Sequence, residues 1–350
     1  RTPLTDQVGK LAGVVFHEKL GSLSQKIHRI VSLAALIGET LGYTQAELAQ
    51  TRRAALLCKA DLATNMVVEM TALQGIMGKV YALHSGEPQE VAEAIFEHYL
   101  PRSTDDILPA SKPGLVVGVA DRLDTLAGLF SVGLAPTGTK DPFAQRRAAL
   151  GLVQNLFLWN LDLDLRWALA QAGRSLPKGL AEKDLEACLE FIKGRTRGLL
   201  LDAGYRYDVV DAALAAQSSN PAGVKRAVDA LGQWVGREDW NSILPAYSRC
   251  VRITRELKQT YIVDPEKFAT PEEDMLYQAL LKAEMAIRDP RDVDACLKAF
   301  EPLIPVINTF FDAVMVMAEE QAVRENRLGL LQRIAALVKP AADLSYLEGF

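Results

Sequence analysis

Apolar residues recur three and four positions apart along most of this chain, the spacing of one face of a helix, so the pattern predicts helices rather than strands. Leu23, Ile27, Ile30, Val31, Ala34 and Leu41 line one face of an amphipathic helix, and Gly42 supplies its stop. Thr44 and Glu47 then make a capping-box start for a helix with Leu48, Ala55 and Leu56 inward and Arg52 and Arg53 outward. The pattern runs on as helix over 62–83, where Gly75 and Gly78 permit close backbone approach. Pro88 falls in the first turn of a helix through Val91, Ile95 and Tyr99. Residues 101–114, rich in Pro and Asp, read as a loop, 115–130 as a strongly apolar helix, and 131–142 as a second loop. A helix follows over 143–159, with Asp141 as N-cap and Pro142 at the first helical position.

Between 160 and 240 the elements shorten and Pro177, Gly204 and Pro221 mark connections, which predicts small helices and a linker. Beyond that the chain reads as helix over 240–259, 271–288, 291–300, 303–323 and 326–338. Leu303, Ile307, Phe310, Phe311, Val314 and Met317 form one apolar stripe; Leu328, Leu331, Ile334 and Val338 form another. Two stripes on consecutive helices argue an antiparallel bundle. The fold class is therefore all-α, and no internal repeat or low-complexity tract stands out.

Composition refines this picture. Ala and Leu dominate and aromatics are sparse, which favours helix. The 350 residues suit two or three domains. The chain opens on Arg1 rather than Met, which reads as a piece of a longer protein. No signal-peptide pattern and no membrane-length apolar run is visible, so a soluble, cytoplasmic protein is expected. Cys58, Cys188, Cys250 and Cys296 lie far apart without a CxxC pair, which argues against zinc and disulfide frameworks. Residues 1–170 carry 16 Lys and Arg against 17 Asp and Glu, and the remainder 23 against 27. Neither half is basic, so any phosphate-binding surface must be a local patch.

Three such patches stand out. Lys140, Arg146 and Arg147 flank a helix start, where free amide hydrogens and the helix dipole favour an anion. The competing reading is an interdomain salt-bridge cluster. Arg249, Arg252, Arg255 and Lys258 follow at i, i+3 spacing and suit phosphates, or form a solvated face with Glu256 as local partner. Arg324 and Arg327 are helical neighbours at a turn between bundle helices, with Glu320 and Glu325 as alternative partners. His17, His84 and His98 are isolated and show no ligand spacing. No P-loop, GxSxG or HExxH run appears.

Three longer runs carry a family resemblance. The first is 59–70 (KADLATNMVVEM) with 73–78 (LQGIMG), Tyr81-Ala82 and Gly86-Glu87. The second is 120–130 (ADRLDTLAGLF) with 136–148 (PTGTKDPFAQRRA). The third is 310–318 (FFDAVMVMA) ending in 324–328 (RENRL). In sequence, order and spacing they resemble the β subunit of the bacterial tetrameric glycyl-tRNA synthetases, in its C-terminal half. One departure is Gln145, where the family usually has leucine, which weakens inward packing at that position.

The resemblance implies a degenerate HD-domain helical bundle over 1–165, a helical linker region over 166–235 and an anticodon-binding-like helical bundle over 236–350. HD enzymes hold a divalent ion with a His, a His-Asp pair and a distant Asp. His28, Asp61 and Asp121 fit three of these positions, but Ala60 replaces the histidine of the pair and Lys59 adds repulsion to a cation. No bound metal and no catalytic residue is expected. The three are read as a hydrogen-bonded network between helices, or as a residual metal site. Family membership further implies an α2β2 glycine-tRNA ligase with ATP and Mg on the separate α subunit and no cofactor in this segment. Its partners would be tRNA-Gly, the α subunit and the rest of the β chain, with no membrane. The expected role is a non-catalytic grip that positions tRNA-Gly. Two alternatives are an HD-type metal-dependent phosphohydrolase and a purely structural scaffold of the synthetase.

Overall fold

The computed structural model describes residues 3–350, so Arg1 lies outside the described residues. The chain divides into two compact units, Arg1–Thr196 and Arg197–Phe350. In the first, α1 (Leu4–Lys10) precedes a two-stranded antiparallel ribbon of β1 (Val15–His17) and β2 (Gly21–Ser22). Then come α2 (Leu23–Thr40), α3 (Gln45–Leu57), α4 (Asn65–Glu69), α5 (Ile76–His84) and α6 (Gln89–Glu97). They are followed by α7 (Lys112–Ser131), α8 (Gln145–Leu158), α9 (Leu165–Arg174) and α10 (Glu182–Asp202), in which the unit boundary falls.

The capping box at Thr44 and Glu47 forms as the sequence indicates: each side chain accepts the other residue's amide hydrogen. A second capping box at Ser22 and Gln25 starts α2. Helix α7 is apolar on nearly every side and is buried along most of its length, packed against α2, α3, α6, α8 and α9. It is the axis of the first unit.

Three helix expectations need correction here. Residues 62–83 are not one helix: α4 and two short 3₁₀ turns, Ala60–Ala63 and Thr71–Leu73, precede α5. The cause is Asp61, whose Oδ2 accepts from the Gly75 and Gly78 amides at 2.7 and 3.1 Å, so the chain must fold back on itself. Gly75 takes φ +79°, and a Cβ on Gly78 would meet Ile95 at 2.7 Å, so both glycines are needed for this close return. Second, α8 begins at Gln145, not at Pro142, because Ala144 is left-handed and Asp141 reaches forward to the Gln145 and Arg146 amides. Third, the 160–240 stretch holds the 21-residue α10 rather than only short elements.

The second unit comprises α11 (Tyr207–Gln217), α12 (Pro221–Val235), α13 (Trp240–Thr254), α14 (Pro271–Ala286), α15 (Val293–Phe300), α16 (Leu303–Ala313) and α17 (Gln321–Ala336). Residues 166–235, read from the sequence as a helical linker region, contain α9 to α12. The two apolar stripes of α16 and α17 pack mainly on α13 and α14 rather than on each other, unlike a simple antiparallel pair. Helix α16 also stops at Ala313, ten residues short of the expected end. Val314 turns extended and Met317 is exposed, because α17 arginines hold the carbonyls of the 315–318 segment. Among the described residues no helix is long and apolar enough to cross a membrane.

Candidate functional site

In the first unit a buried ionic cluster joins α2 to α7. Lys26 and Arg29 lie on the inward face of α2, both under 9% exposed. Lys26 Nζ sits 2.9 Å from Asp124 Oδ2 and 3.0 Å from Asp121 Oδ1, and donates to Thr125 Oγ1 at 2.7 Å. Arg29 clasps Asp124 with Nε at 2.6 Å and Nη2 at 3.1 Å. From the turn after α3, Lys59 Nζ reaches Asp121 Oδ2 at 2.6 Å and His98 Nε2 at 2.9 Å. It also lies 4.1 Å from the centre of the Tyr99 ring. Arg122 turns the other way and donates to the carbonyls of His98, Gly118, Tyr99, Leu100 and Pro101, fixing the end of α6.

The electrostatics follow from this geometry. Burial alone would raise Asp121, but Lys26 and Lys59 overcome it and hold the carboxyl well below its usual range. Burial and the neighbouring Lys59 charge both push His98 well below the usual imidazole value, so it is a neutral acceptor. Burial raises Asp61, only partly offset by the Gly75 and Gly78 amides and by Lys59.

Of the three residues assigned to the degenerate metal site, the fold brings Asp61 and Asp121 to this cluster and leaves His28 out. His28 faces solvent on α2 and its Nδ1 contacts the Ser24 carbonyl. The imidazole in the cluster is instead His98, which looked isolated in sequence because its partner Lys59 lies 39 residues away. The residues do not fit a divalent cation as they stand. Ammonium groups already cover both Asp121 oxygens, and no group of three metal-ligand side chains is assembled among the described residues. The phosphohydrolase reading loses its geometry with them.

A cleft of about 440 Å³ opens over this cluster, with Gln74, Phe143, Arg102 and Arg147 among its lining residues. Arg102 is committed to Asp106. Arg147 is exposed at the cleft, and Lys140 is exposed in the preceding turn. Arg146 differs: it donates to the Gly138 carbonyl and braces that turn. The helix start flanked by these residues is not open to an anion, because the Asp141 carboxylate already takes two of its amides. Gln145 is fully buried, donating to the Leu134 carbonyl, so its side chain packs inward after all.

In the second unit Arg249, Arg252, Arg255 and Lys258 are all exposed. Arg249 lies over the Phe311 ring at 4.3 Å and Arg252 over Phe350 at 5.7 Å, while Arg255 pairs with Glu256 at 3.3 Å. Lys258 is off the helix, which ends at Thr254. The chain is drawn away there by α17: Gln332 bonds Gln259 and Tyr261, and Asn326 bonds both the amide and the carbonyl of Asp264. The Arg324–Arg327 pair separates into two structural roles. Arg324 donates to the Ala318 carbonyl. Arg327 is buried, 2.7 Å from Glu273 Oε1, and also holds the Met315 carbonyl, so it offers nothing to a surface ligand. Its partner is Glu273, on α14, and not Glu320 or Glu325.

Comparison with known proteins gives two family matches. A model described as glycyl-tRNA synthetase beta subunit matches residues 1–215, and one described as DALR anticodon binding domain matches residues 243–345. The glycine-tRNA ligase beta subunit of Myxococcus xanthus is 40% identical over 99% of this chain and 51% of its own length. That of Desulforamulus reducens is 39% identical over the same shares, and that of Moorella thermoacetica 41%. The chain spans about half the length of these relatives.

Proposed function

The chain belongs to the glycyl-tRNA synthetase beta subunit family, and from that premise we propose that it is a non-catalytic tRNA grip within a glycine-tRNA ligase. Aminoacylation, with its ATP and Mg, would take place on a separate α subunit in the cytoplasm. This segment would hold tRNA-Gly so that its terminal adenosine reaches that site, contributing orientation rather than covalent chemistry. Its other partners would be the α subunit and the remainder of the β chain.

The observation that carries this reading is the exposed arginine row of α13. It lies inside the stretch that resembles an anticodon-binding domain, and two of its guanidinium groups rest on aromatic rings. Guanidinium and ring faces are what unpaired RNA bases stack on, and the same cations meet phosphates. Lys140 and Arg147 give the first unit a smaller exposed basic pair. Neither unit is basic overall, so the grip depends on these patches.

The test is binding of tRNA-Gly to the full-length chain at increasing salt. Affinity should fall linearly on a log–log plot, and charge reversal at Arg249 and Arg252 should flatten that slope. Binding indifferent to salt, or unchanged by both reversals, contradicts the proposal.

A further inference from the structure

Residues 62–83 carry an apolar run that the first unit's core barely uses: only Val67, Gly75, Gly78 and Ala82 of this stretch are buried. Met66, Val68 and Met70 face outward at 44–65% exposure. Ile76, Val80 and Leu83, at i, i+4 and i+7, line one outer face of α5 at 37–44%. We propose that this surface, with the cavity at its edge, docks a polypeptide segment from the part of the β chain outside these 350 residues, an inference that rests on the family reading above.

The backbone explains why the patch forms. By holding the Gly75 and Gly78 amides, Asp61 folds the start of α5 back toward the foot of α4 and sets both apolar groups on one fold-back. Apolar side chains exposed singly need no explanation, but six of the eighteen large ones exposed on the described chain fall within residues 66–83. A concentration of that kind marks an interaction surface.

The polar edge points to a polypeptide. Beside Met66 lies a cavity of about 440 Å³ whose lining includes Gln7 and Lys10 from α1, Asn65 and Tyr81. Among the described residues none of these four side chains has a hydrogen-bond or ionic partner, and Gln7, 7% exposed, keeps a buried Oε1 with none. A buried carboxamide without partners costs free energy that an incoming donor recovers. Carboxamides offer a donor and an acceptor in one plane, the complement of a peptide group, and the Lys10 ammonium suits a carboxylate. Nucleic acid does not match: Lys10 is the single cation of the lining, and Glu69 is exposed beside the apolar patch.

Size and connectivity choose the segment. A separate partner needs about 20–30 residues a side, more than six apolar side chains and one cavity offer. A tethered segment acts at an effective concentration of about millimolar and is held by far less. The Myxococcus and Desulforamulus relatives match 99% of this chain but only 51% of their own length, so a comparable length of polypeptide is available to cover the surface.

The test labels single introduced thiols in the purified full-length β chain at pH 8, where the four native cysteines are buried and slow. Val68→Cys and Leu83→Cys should react with a maleimide at least about tenfold more slowly than Met285→Cys, which is 84% exposed in the second unit. Adding Met66→Lys and Val80→Lys, both at exposed positions, should restore fast labelling of the Val68→Cys chain. A benzophenone side chain placed at Val68 should cross-link to a peptide outside these 350 residues. Labelling of both thiols as fast as Met285→Cys overturns the proposal. So does protection that appears only when the α subunit is added, or protection that fades on dilution, as a second copy would give. Salt-dependent tRNA-Gly binding by the same preparation keeps the two readings apart: fast labelling with binding intact removes only the docking surface, whereas absent binding removes the tRNA grip.

Discussion

Both units bury cationic side chains against carboxylates, but with different connectivity. In the first, Lys26, Arg29 and Lys59 share Asp121 and Asp124, so each of these two carboxylates has two cationic partners. In the second, Arg327 and Glu273 are a single pair between α17 and α14, both nearly inaccessible. The exposed cations of that unit's candidate surface lie outside: Arg249 and Arg252 on α13, and Arg255 and Lys258 just past its end. The comparison teaches that arginine spacing alone does not separate binding residues from bracing ones. Arg324 and Arg327 carry the same spacing as Arg249 and Arg252, yet the first two brace the turn between α16 and α17.

A shared network and a lone pair should fail differently. The largest expected effect is Glu273→Ala, which leaves the Arg327 guanidinium buried without its carboxylate and also removes the acceptor for the Ala269 and Thr270 amides. A loss of about 3–5 kcal/mol is expected, measured by denaturant unfolding of the second unit's signal. Asp124→Asn should cost less, about 1.5–3 kcal/mol, because Lys26 keeps Asp121 and Arg29 keeps the Leu20 carbonyl. Equal losses in the two variants would erase the distinction between network and pair.

Cysteine reactivity can assign each loss to its unit. All four thiols are buried, and burial pushes each to about 12, so at pH 8 they should label only through opening. Glu273→Ala should speed labelling of Cys250 and Cys296 and leave Cys58 and Cys188 slow; Asp124→Asn should do the reverse. Uniform acceleration in either variant would mean that the units open together. The smallest effect belongs to Arg255→Ala, whose Glu256 pair is exposed: stability should move by less than about 0.5 kcal/mol.

Local chemistry was the legible part of this fold. Thr44 and Glu47 announce a helix start because both halves of a capping box lie within one turn, and the α2 stripe is visible because its period is local. Contacts across long separations were not legible. Asp61 captures amides 14 and 17 residues ahead, which breaks an apolar run that reads as helix. His98 finds Lys59 across 39 residues, so it shows no ligand spacing. One signal was present in α2: Lys26 and Arg29 fall on the same face as Ile30 and Leu33, whereas His28 points away. Cations within an apolar face require buried carboxylates, and Asp121 and Asp124 at i, i+3 on α7 are the matching pair. On α17, Arg327 beside Leu328 and Leu331 carried the same signal.

The central claim is that the exposed arginines of α13 grip tRNA while their buried counterparts only hold the fold. It is tested most directly by the salt dependence of tRNA-Gly binding in the full-length chain, with and without the triple change of Arg249, Arg252 and Arg255 to alanine. Each lost phosphate contact should lower the slope of log affinity against log salt by about 0.7–0.9, so a drop of about 2 or more is predicted, with the thermal midpoint unchanged. An unaltered slope and affinity would place the tRNA elsewhere and contradict the account.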